Sequence, residues 1–309
     1  MKQIGRQTIV ITGASSGIGL STARLAASRG ARVVLTARSE PELAQVTEDL
    51  IKQGGMATYY PADVADYDAL RRVAEHAHLT FGHIDTWVNN AGATVYGMSE
   101  VTSLDDMRRV FDVTYWGVVH GSLIALPYLR QTRGTLINVG SVESDVPFPL
   151  TSTYAAAKHA VKGFTDALRM ELKHEKSHVQ VTLVKPAAID TPFFEHAKNY
   201  LESAPKPPPP LYDPEKVARV ILRAAQKPER EVVAGGAANA LIRLHRTAPR
   251  LAEWVFAKTM VSMQKSDRPN TQGSGALYEP GHSGRERGGG SRQPTPAATA
   301  WRDPEHQGT

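Results

Sequence analysis

The sequence predicts an α/β fold in which a doubly wound parallel sheet of about seven strands carries helices on both faces. Three observations predict it. Short apolar runs alternate with longer segments of helical period over residues 1–236. The cores of several runs, such as Ile9-Val10-Ile11 and Val33-Val34-Leu35, are apolar at consecutive positions, as in parallel strands that are covered on both faces. A glycine-rich turn also separates the first apolar run from the first helical segment.

The predicted strands are recognised by composition and the helices by period. Residues 8–12 read TIVIT and residues 32–37 read RVVLTA, and both are rich in β-branched residues that favour strands. Further apolar runs lie at residues 56–60, 84–89, 134–140 and 178–185 and near residues 231–234. Segments with apolar residues three or four apart fill the intervals. Because crossovers between parallel strands are right-handed, these helices are expected to cover both faces of the sheet.

Composition divides the chain into three regions. Residues 1–236 carry the alternating strands and helices and are long enough for one α/β domain. Residues 237–266 alternate large apolar residues with Arg and Lys, which predicts an amphipathic helical extension. This extension is expected to pack on its own domain or on a sister subunit, with peripheral contact to an anionic membrane as the alternative. Residues 267–309 are rich in Gly, Pro, Ser and Arg, which predicts a disordered tail.

Composition also argues against several classes of function. The 309-residue chain has no Cys, which excludes disulfides, Cys-ligated zinc and a thiol nucleophile. The His residues show no ligand spacing, so no metal site is predicted. The net charge of +5 is spread among acidic residues, which argues against nucleic-acid binding. Because neither a targeting segment nor a long apolar run is found, we expect a cytoplasmic protein without a transmembrane segment.

The turn Thr12–Gly19 has the context that dinucleotide binding requires. It reads TGASSGIG and lies directly between a strand and a helical segment. Glycine permits a tight turn and close approach to a pyrophosphate, while the helix amino terminus offers free N–H groups. No Lys follows the glycines, which argues against a P-loop for nucleoside triphosphates. The pattern therefore predicts a Rossmann-type dinucleotide site.

The end of the second strand indicates which dinucleotide binds. An acidic residue at this position holds the ribose 2′-hydroxyl of NAD(H), whereas an Arg binds the 2′-phosphate of NADP(H). Here the strand ends in Ala37-Arg38, and a guanidinium binds phosphate through two charge-assisted hydrogen bonds. We predict NADP(H), with NAD(H) as the alternative. In that alternative, Arg38 is a solvated side chain ahead of a helix whose N-cap is Ser39.

Three residues near the middle of the chain supply the groups that hydride transfer needs. Tyr154 and Lys158 are four residues apart in a helical segment, so their side chains share one face. The lysine ammonium, helped by a cationic nicotinamide ring, is expected to lower the tyrosine pKa from about 10 toward neutrality. Ser141 follows an apolar run, which places its hydroxyl at the carboxyl end of a strand, where such sheets bind ligands. A YxxxK pair alone also occurs by chance in many helices.

Together these segments resemble the short-chain dehydrogenase/reductase (SDR) family over about residues 5–235. Thr12–Gly19 is similar to the family's TGxxxGxG turn, Asp63-Val64 to its adenine-contacting pair, and Asn89–Gly92 to its NNAG motif. On the residues alone, Asp63 has the alternative role of capping a turn. The resemblance implies that the catalytic residues are Ser141, Tyr154 and Lys158. It implies that the cofactor-binding residues are Gly13, Ser15, Ser16, Gly17, Ile18, Gly19, Arg38, Asp63, Val64, Asn90, Ala91, Gly92, Tyr154, Lys158, Pro186, Ile189 and Thr191.

Two positions depart from the family pattern. The family places an Asn in the helix after NNAG, where it is thought to fix a water that links the lysine to solvent. Here Phe111-Asp112-Val113 is followed by Thr114, whose hydroxyl we expect to hold that water instead. The family's Pro-Gly motif near the nicotinamide is Pro186-Ala187 in this chain.

The predicted function is that of an NADP(H)-dependent oxidoreductase that interconverts a ketone or aldehyde and an alcohol. Tyr154 would exchange the proton, Ser141 would polarise the reacting oxygen and Lys158 would bind the nicotinamide ribose. Aromatic residues in the loops, such as Phe193 and Phe194, suggest an apolar substrate and a lid, with loop packing as the alternative. The resemblance also implies a homodimer or homotetramer.

The competing hypothesis is a nucleotide-binding regulatory or scaffold protein of the same fold that is catalytically weak or inactive. Thr114 and Ala187 keep this hypothesis open, because both depart from the family pattern. Binding of nucleotide without hydride transfer across a broad carbonyl panel would favour it.

Overall fold

A computed structural model describes residues 1–270, 273 and 275–289 and shows strands and helices alternating along the chain. The strands are β1 Thr8–Thr12, β2 Arg32–Thr36, β3 Met56–Tyr59, β4 Thr86–Asn89, β5 Val95–Tyr96, β6 Thr135–Val139, β7 Gln180–Pro186, β8 Lys198–Asn199, β9 Ser203–Pro205, β10 Glu231–Ala234 and β11 Lys265–Pro269. The α-helices are α1 Gly17–Ser28, α2 Glu40–Lys52, α3 Tyr67–Phe81, α4 Leu104–Phe111, α5 Gly117–Thr132, α6 Ser152–His174, α7 Pro214–Gln226, α8 Gly236–Thr247 and α9 Pro249–Met263. A π-helical turn, Asp112–Trp116, joins α4 to α5.

Seven of the strands form one parallel sheet in the order β10-β7-β6-β4-β1-β2-β3. The predicted doubly wound parallel sheet is therefore confirmed. The chain runs outward from β1 to β3, returns to β4 on the other side of β1 and continues outward to β10. The strand order thus reverses between β1 and β4, and open α/β sheets bind ligands at the carboxyl ends of the strands at such a point.

Two apolar layers hold the helices on the sheet. On one face, α1, α2 and α7 contribute buried residues that include Leu20, Leu43 and Ile221. On the other face, α3, α5 and α6 contribute a second cluster that includes Leu70 and Leu129. Because successive side chains of a strand point to opposite faces, the central strands contribute to both layers. Their continuous apolar character follows from this double burial.

A buried polar network links the central strands to one helical layer. Trp87 Nε1 donates to Asn89 Oδ1 at 2.7 Å, and Asn89 Nδ2 donates to Asn138 Oδ1 on β6 at 2.9 Å. Asn138 Nδ2 donates in turn to Thr165 Oγ1 on α6 at 2.9 Å. All four residues are buried. The amides are paired with one another, so the network avoids the cost of unpaired polar groups in the core.

Strand ends differ from the prediction by one or two residues. β4 begins at Thr86, two residues later than predicted. The preceding residue, Asp85, lies at the amino-terminal ends of the central strands, opposite the cavity. Its carboxylate accepts the Thr8 N–H at 2.9 Å and pairs with Lys2 Nζ at 2.6 Å. Hydrophobic period does not report such side-chain anchors, which explains the imprecise boundary.

The region that follows the sheet packs back onto the domain. α8 and α9 bury Ile242, Phe256 and Met260 in a cluster with Val146 and Phe148, which lie in the loop after β6. The structure differs from the predicted disordered tail at two places. Residues 265–269 form β11, which pairs with β9, and residues 275–289 hydrogen-bond to the domain. The other tail residues, 271, 272, 274 and 290–309, lie outside the described residues.

Within the described part of the chain, no helix is long and apolar enough to cross a membrane. The same residues contain no group of His, Asp and Glu side chains arranged to hold a metal ion.

Candidate active site

The carboxyl ends of the central strands open into one cavity that unites distant parts of the sequence. It is lined by the three predicted catalytic residues and by every predicted cofactor residue except Gly19. These lining residues are Gly13, Ser15, Ser16, Gly17, Ile18, Arg38, Asp63, Val64, Asn90, Ala91, Gly92, Ser141, Tyr154, Lys158, Pro186, Ile189 and Thr191. Ala187, at the family's Pro-Gly position, also lines the cavity.

The glycine-rich turn between β1 and α1 forms one end of this cavity. Gly13 and Gly17 have φ angles of +66° and +55°, in the left-handed region that favours glycine. Gly19, which is also predicted to bind cofactor, does not line the cavity. A Cβ at Gly19 would lie 2.1 Å from the Gly13 carbonyl oxygen, so this glycine permits α1 to pack against the turn. The N-cap Ser16 makes no side-chain capping bond to α1.

The NNAG segment is tied to the same turn. Thr12 Oγ1 accepts the N–H groups of Asn90 at 2.9 Å and Ala91 at 3.0 Å. Asn90 Nδ2 donates to the Thr12 carbonyl at 2.9 Å. These bonds hold the carboxyl ends of β1 and β4 together where the strand order reverses.

Ser141 follows β6 and begins a short 3-10 turn, Val142–Ser144. Its Oγ accepts the Glu143 N–H at 3.1 Å, and its own N–H donates to Ser144 Oγ at 3.1 Å. The Ser141 hydroxyl also hydrogen-bonds with Tyr154, so the two hydroxyl groups lie side by side in the cavity.

Tyr154 and Lys158 project from the first turns of α6 into the cavity. Lys158 Nζ lies 5.6 Å from the centroid of the Tyr154 ring and donates to the Val139 carbonyl at 2.7 Å. Lys158 is buried, and a Cβ at Gly92 would lie 3.8 Å from its Nζ. The predicted four-residue spacing thus places both side chains at the end of β6, close to the loop after β4.

Burial dominates the titration of these two groups. Burial raises the pKa of Tyr154, the charge of Glu143 raises it further, and a hydrogen bond with Ser141 lowers it. Burial also lowers the pKa of Lys158 to about 8, although the negative charge of Glu143 acts to raise it. The structure thus differs from the prediction that Lys158 lowers the Tyr154 pKa. The reason is that burial penalises both charged forms, and the protein's own groups do not offset it for the phenolate.

Glu143 is a site residue that the sequence analysis missed. It lines the cavity, and its Oε2 accepts the Thr151 hydroxyl at 2.8 Å. Among the described residues no Lys, Arg or His lies within ion-pair distance of it. Burial raises its pKa to about 8, although the Thr151 hydrogen bond and the charge of Lys158 oppose this. Its only sequence signal is that it stands two residues after Ser141, and no motif marks that position.

Thr114 lies in the π-helical turn and is fully buried. Its Oγ1 accepts the Ala93 N–H at 3.0 Å and donates to the Ala93 carbonyl at 3.0 Å. The hydroxyl therefore binds the backbone that follows the NNAG segment, whereas the sequence analysis expected it to hold a water. In the structure, Thr114 fixes the backbone of Gly92 and Ala93 beside Lys158.

A buried ion-pair cluster supports the turn after Ser141. Lys185 on β7 is 3% exposed, and its Nζ lies 2.7 Å from Asp145 Oδ2 and 2.6 Å from Glu231 Oε2. Arg246 on α8 also contacts Asp145, at 2.6 Å. Burial raises the pKa of Asp145, but hydrogen bonds and charges from Lys185 and Arg246 outweigh it, and the pKa lies below its ordinary value. The cluster connects the Ser141 turn to β7, β10 and α8.

Aromatic side chains form the wall beside Tyr154. The ring centroid of Phe193 lies 5.5 Å from that of Tyr154 and 5.7 Å from that of Phe194. Phe148 lines the cavity as well and packs on Phe256 of α9, with 5.4 Å between centroids. These rings pack the loops onto the domain and also line the cavity, so the two alternative roles apply together.

Arg38 and Asp63 lie at the other end of the cavity and already have protein partners. Asp63 Oδ1 accepts the Ala65 N–H at 3.0 Å, and its other oxygen pairs with Arg109. The Arg38 guanidinium donates to four backbone carbonyls of residues 276–279. Asp63 therefore caps a turn, which was the alternative reading, and it lines the cavity at the same time.

The residues present fit a nicotinamide dinucleotide. A turn with positive φ at two glycines and a helix amino terminus suit the pyrophosphate. Arg38 stands at one end of the cavity, while Ser141, Tyr154 and Lys158 stand together at the other. An extended dinucleotide with its adenosine ribose at one end and its nicotinamide ring at the other matches this arrangement.

Comparisons with known proteins agree with this geometry. The family model described as short chain dehydrogenase matches residues 7–201. An uncharacterized oxidoreductase, YxnA, of Bacillus subtilis is 44% identical over 93% of this chain and 82% of its own length. The 11-beta-hydroxysteroid dehydrogenase A of Sesamum indicum is 33% identical over 82% of this chain and 76% of its own length.

Two solved structures share the fold at 25% identity. One is a short chain dehydrogenase/reductase from Burkholderia phymatum in complex with NAD, with a TM-score of 0.74 over 81% of this chain and 96% of the other. The second is an alcohol dehydrogenase from the archaeon Thermococcus sibiricus complexed with 5-hydroxy-NADP, with a TM-score of 0.65 over 74% of this chain and 95% of the other. The chain described here belongs to the short-chain dehydrogenase family and is an oxidoreductase of that family.

Proposed function

We propose that this protein is an NADP(H)-dependent oxidoreductase that interconverts an apolar ketone or aldehyde and the corresponding alcohol. The observation that carries the proposal is the meeting of Ser141, Tyr154 and Lys158 in a cavity that the dinucleotide turn also lines. A bound nicotinamide dinucleotide supplies or accepts the hydride. The chain's own residues bind the reacting oxygen, move its proton and position the cofactor.

The proton moves at the Tyr154 hydroxyl. Burial keeps Tyr154 as the neutral phenol, so the proton that the carbonyl oxygen needs is present at the start of reduction. Burial also makes this phenol a weaker acid, and the positive charge of the oxidised nicotinamide ring would favour the phenolate as the proton leaves. The Ser141 hydroxyl, which hydrogen-bonds with Tyr154 in the structure, would turn to the same carbonyl oxygen when substrate binds. Lys158 Nζ lies 5.6 Å from the centroid of the Tyr154 ring, where the ammonium would bind the nicotinamide ribose and hold it beside the reacting oxygen.

The substrate class follows from the aromatic wall. Phe193, Phe194 and Phe148 line the cavity on the Tyr154 side, which favours an apolar body attached to the reacting carbon. A relative named as a hydroxysteroid dehydrogenase supports a bulky apolar alcohol or ketone. A homodimer or homotetramer in the cytoplasm is also proposed, and exposed Trp116 and Leu123 along α5 and its π-helical turn support self-association.

A panel of ketones, aldehydes and secondary alcohols with NADPH, NADH and their oxidised forms tests the function directly through nicotinamide absorbance. Turnover of apolar ketones with NADPH is expected. Binding of dinucleotide without turnover across the panel would contradict the proposal and would favour the regulatory or scaffold alternative. A lack of binding for either dinucleotide would remove both.

Selectivity for NADP(H) gives a prediction for Arg38→Ala. Removing the guanidinium takes away the partner of the 2′-phosphate, so NADPH binding should weaken by about 1.5–3 kcal/mol relative to NADH binding. The ratio of the two affinities, measured by fluorescence titration, is the readout, because Arg38 also holds backbone carbonyls of the chain itself. Arg72→Ala, at an exposed arginine of α3, is the control. Equal losses for both dinucleotides would show that Arg38 does not recognise the phosphate.

Glu143 gives a prediction about pH. Its carboxylate raises the pKa of Tyr154, and its own pKa of about 8 means that the charge forms only above that pH. Below about pH 7 the side chain at position 143 is uncharged in both the wild type and Glu143→Gln. The pH profiles of alcohol oxidation should therefore coincide in this range. Above pH 8 the variant should be more active, because its Tyr154 ionises more easily. The titratable groups that interact electrostatically with Glu143 are Tyr96, Tyr154 and Lys158.

The measurement is kcat/KM for alcohol oxidation from pH 6 to 10, with Glu48→Gln on the exposed face of α2 as the control. Profiles that coincide over the whole range would show that Glu143 has no electrostatic effect on Tyr154.

A further inference from the structure

Residues 275–289, here called the docked segment, lie across the phosphate-binding end of the cavity. Ala276, Pro280 and Gly281 line the cavity themselves. Leu277 is 1% exposed and packs with Val95 and Val110 of the domain. The segment is thus part of the site and not merely adjacent to it.

The docked segment uses the hydrogen-bond donors that the proposed function assigns to the cofactor phosphates. Arg38 Nη1 donates to the carbonyls of Tyr278 at 2.7 Å and Leu277 at 3.2 Å. Arg38 Nη2 donates to the carbonyls of Glu279 at 3.0 Å and Ala276. Four carbonyls match the four N–H bonds of the two terminal nitrogens, so the fork that binds a phosphate is fully used.

The pyrophosphate end of the site is engaged in the same way. The Gly17 N–H, at the amino terminus of α1, donates to the Arg285 carbonyl at 3.0 Å. This is the type of backbone donor that binds phosphate in dinucleotide sites. One segment therefore bonds to the donors at both the proposed 2′-phosphate and pyrophosphate positions.

Side chains fix the course of the segment between these two points. Arg24 on α1 pairs with Glu286 at 2.6 Å, and Glu42 on α2 pairs with His282 at 2.9 Å. Each such surface pair contributes little to stability. They do not hold the segment strongly, but they select one path that contacts the second half of α1 and the first turn of α2.

We propose that the docked segment is an internal competitor of the dinucleotide, so that cofactor binds only when residues 275–289 leave the cleft. The inference rests on the proposed function, because it requires this cleft to be the cofactor site. With the segment in place the cavity measures about 270 Å³, although its lining spans the whole predicted cofactor and substrate site. That is below the roughly 300–1,000 Å³ of pockets that hold drug-sized ligands.

Competition has a quantitative consequence. The apparent Kd for cofactor equals the intrinsic Kd divided by the fraction of molecules whose cleft is open. If one molecule in about ten is open, removal of the segment tightens binding about tenfold. A segment that closed over bound cofactor would have the opposite effect, since its removal would weaken binding.

Two truncations of the full chain test the proposal. A chain that ends at Asn270 keeps β11 and loses the docked segment, whereas a chain that ends at Gly289 keeps the segment and is the matched control. NADPH affinity, measured by fluorescence or calorimetry, should rise by about tenfold for the first and stay within twofold for the second. Equal affinity of all three chains, or weaker binding by the shorter one, would overturn the proposal.

Two measurements on chains of full length complete the test. Leu277→Asp places a charge in the apolar contact with Val95 and Val110, and it should tighten NADPH binding as the truncation does. In the wild type, NADPH should speed tryptic cleavage after Arg285 and Arg287, because the segment is released. Protection of these bonds by NADPH would overturn the proposal. If neither the truncated nor the full-length chains bind a dinucleotide, the proposed function fails together with the competition proposal. If all chains bind NADPH equally well, only the competition proposal fails.

Discussion

Tyr154→Phe is expected to lower turnover by roughly 10²–10⁴-fold, the usual contribution of acid/base catalysis, while NADPH affinity stays within twofold. The substitution removes one oxygen from a side chain whose ring packs beside Phe193 and Lys158. The ring contacts remain, so the cavity keeps its shape. Only the proton at the reacting oxygen is lost, and with it the acid for reduction and the base for oxidation.

Turnover and equilibrium binding are measured separately to check this result. Tyr128→Phe is the control, since Tyr128 packs against His78 on the far side of α5, outside the cavity. Turnover of Tyr154→Phe within about tenfold of the wild type would contradict the assignment of Tyr154 as the proton donor. A parallel loss of cofactor affinity would instead indicate that the hydroxyl helps to bind the dinucleotide.

Lys185→Met should lower the free energy of unfolding by about 3–5 kcal/mol, because it leaves two carboxylates without their buried partner. Asp145 is 5% exposed at its side chain and Glu231 is 21% exposed. Methionine fills nearly the same space as the lysine stem, so the loss reflects charge and not a cavity. Urea unfolding at pH 7 measures it.

Lys162→Met is a matched control for this prediction. Lys162 also contacts Glu231, at 3.4 Å, but it is 22% exposed and pairs with Asp166 on its own helix. Its loss should cost less than about 1 kcal/mol. Equal effects of the two substitutions would show that burial of Lys185 does not determine the energy.

Acid should reduce the difference between the wild type and Lys185→Met. The pKa values of Asp145 and Glu231 lie below their ordinary values, since the partner charges outweigh the effect of burial. A lowered carboxyl pKa stabilises the fold above the unfolded value of about 4, and this stability is lost as the pH falls through the folded value. The two proteins should therefore converge in stability below about pH 4.

The fold was predictable because its determinants are local in sequence. Each strand of the sheet is a short apolar run, and each glycine, capping residue and helical period can be read within a few positions. The turn at Gly13 and the spacing of Tyr154 and Lys158 carry the cofactor and catalytic motifs in the same local way. Strand boundaries were less certain, because a side chain such as Asp85 can fix where a strand begins without any signal in the hydrophobic period.

The parts of the site that sequence reasoning missed depend on three-dimensional packing. Glu143 became a site residue because the turn after Ser141 directs it into the cavity, and no spacing rule encodes that direction. The Tyr154 pKa depends on the degree of burial, which is a property of the whole assembly of helices. Gly19 lies within the motif, yet its neighbour is the Gly13 backbone and not the cavity.

Residues 275–289 escaped prediction for a different physical reason. Their composition is that of a disordered chain, with many glycines and few apolar side chains. Five of the bonds that dock them, four to Arg38 and one to Gly17, are accepted by backbone carbonyls, which every residue possesses. Such backbone contacts leave no trace in side-chain identity. The side-chain contacts of the segment, which include the buried Leu277 and the pairs of Glu286 with Arg24 and His282 with Glu42, depend on partners that are distant in sequence.

The amide pair Asn89 and Asn138 also sets the alignment of the catalytic edge. These residues lie directly opposite each other on β4 and β6. A slip of one strand by one residue would turn one amide to the other face and leave buried groups unpaired, at about 1–3 kcal/mol each. Hydrophobic side chains alone discriminate poorly between neighbouring registers in a sheet that is apolar on both faces. The relative height of Asn90 and Ser141 therefore depends on two buried residues that do not line the cavity.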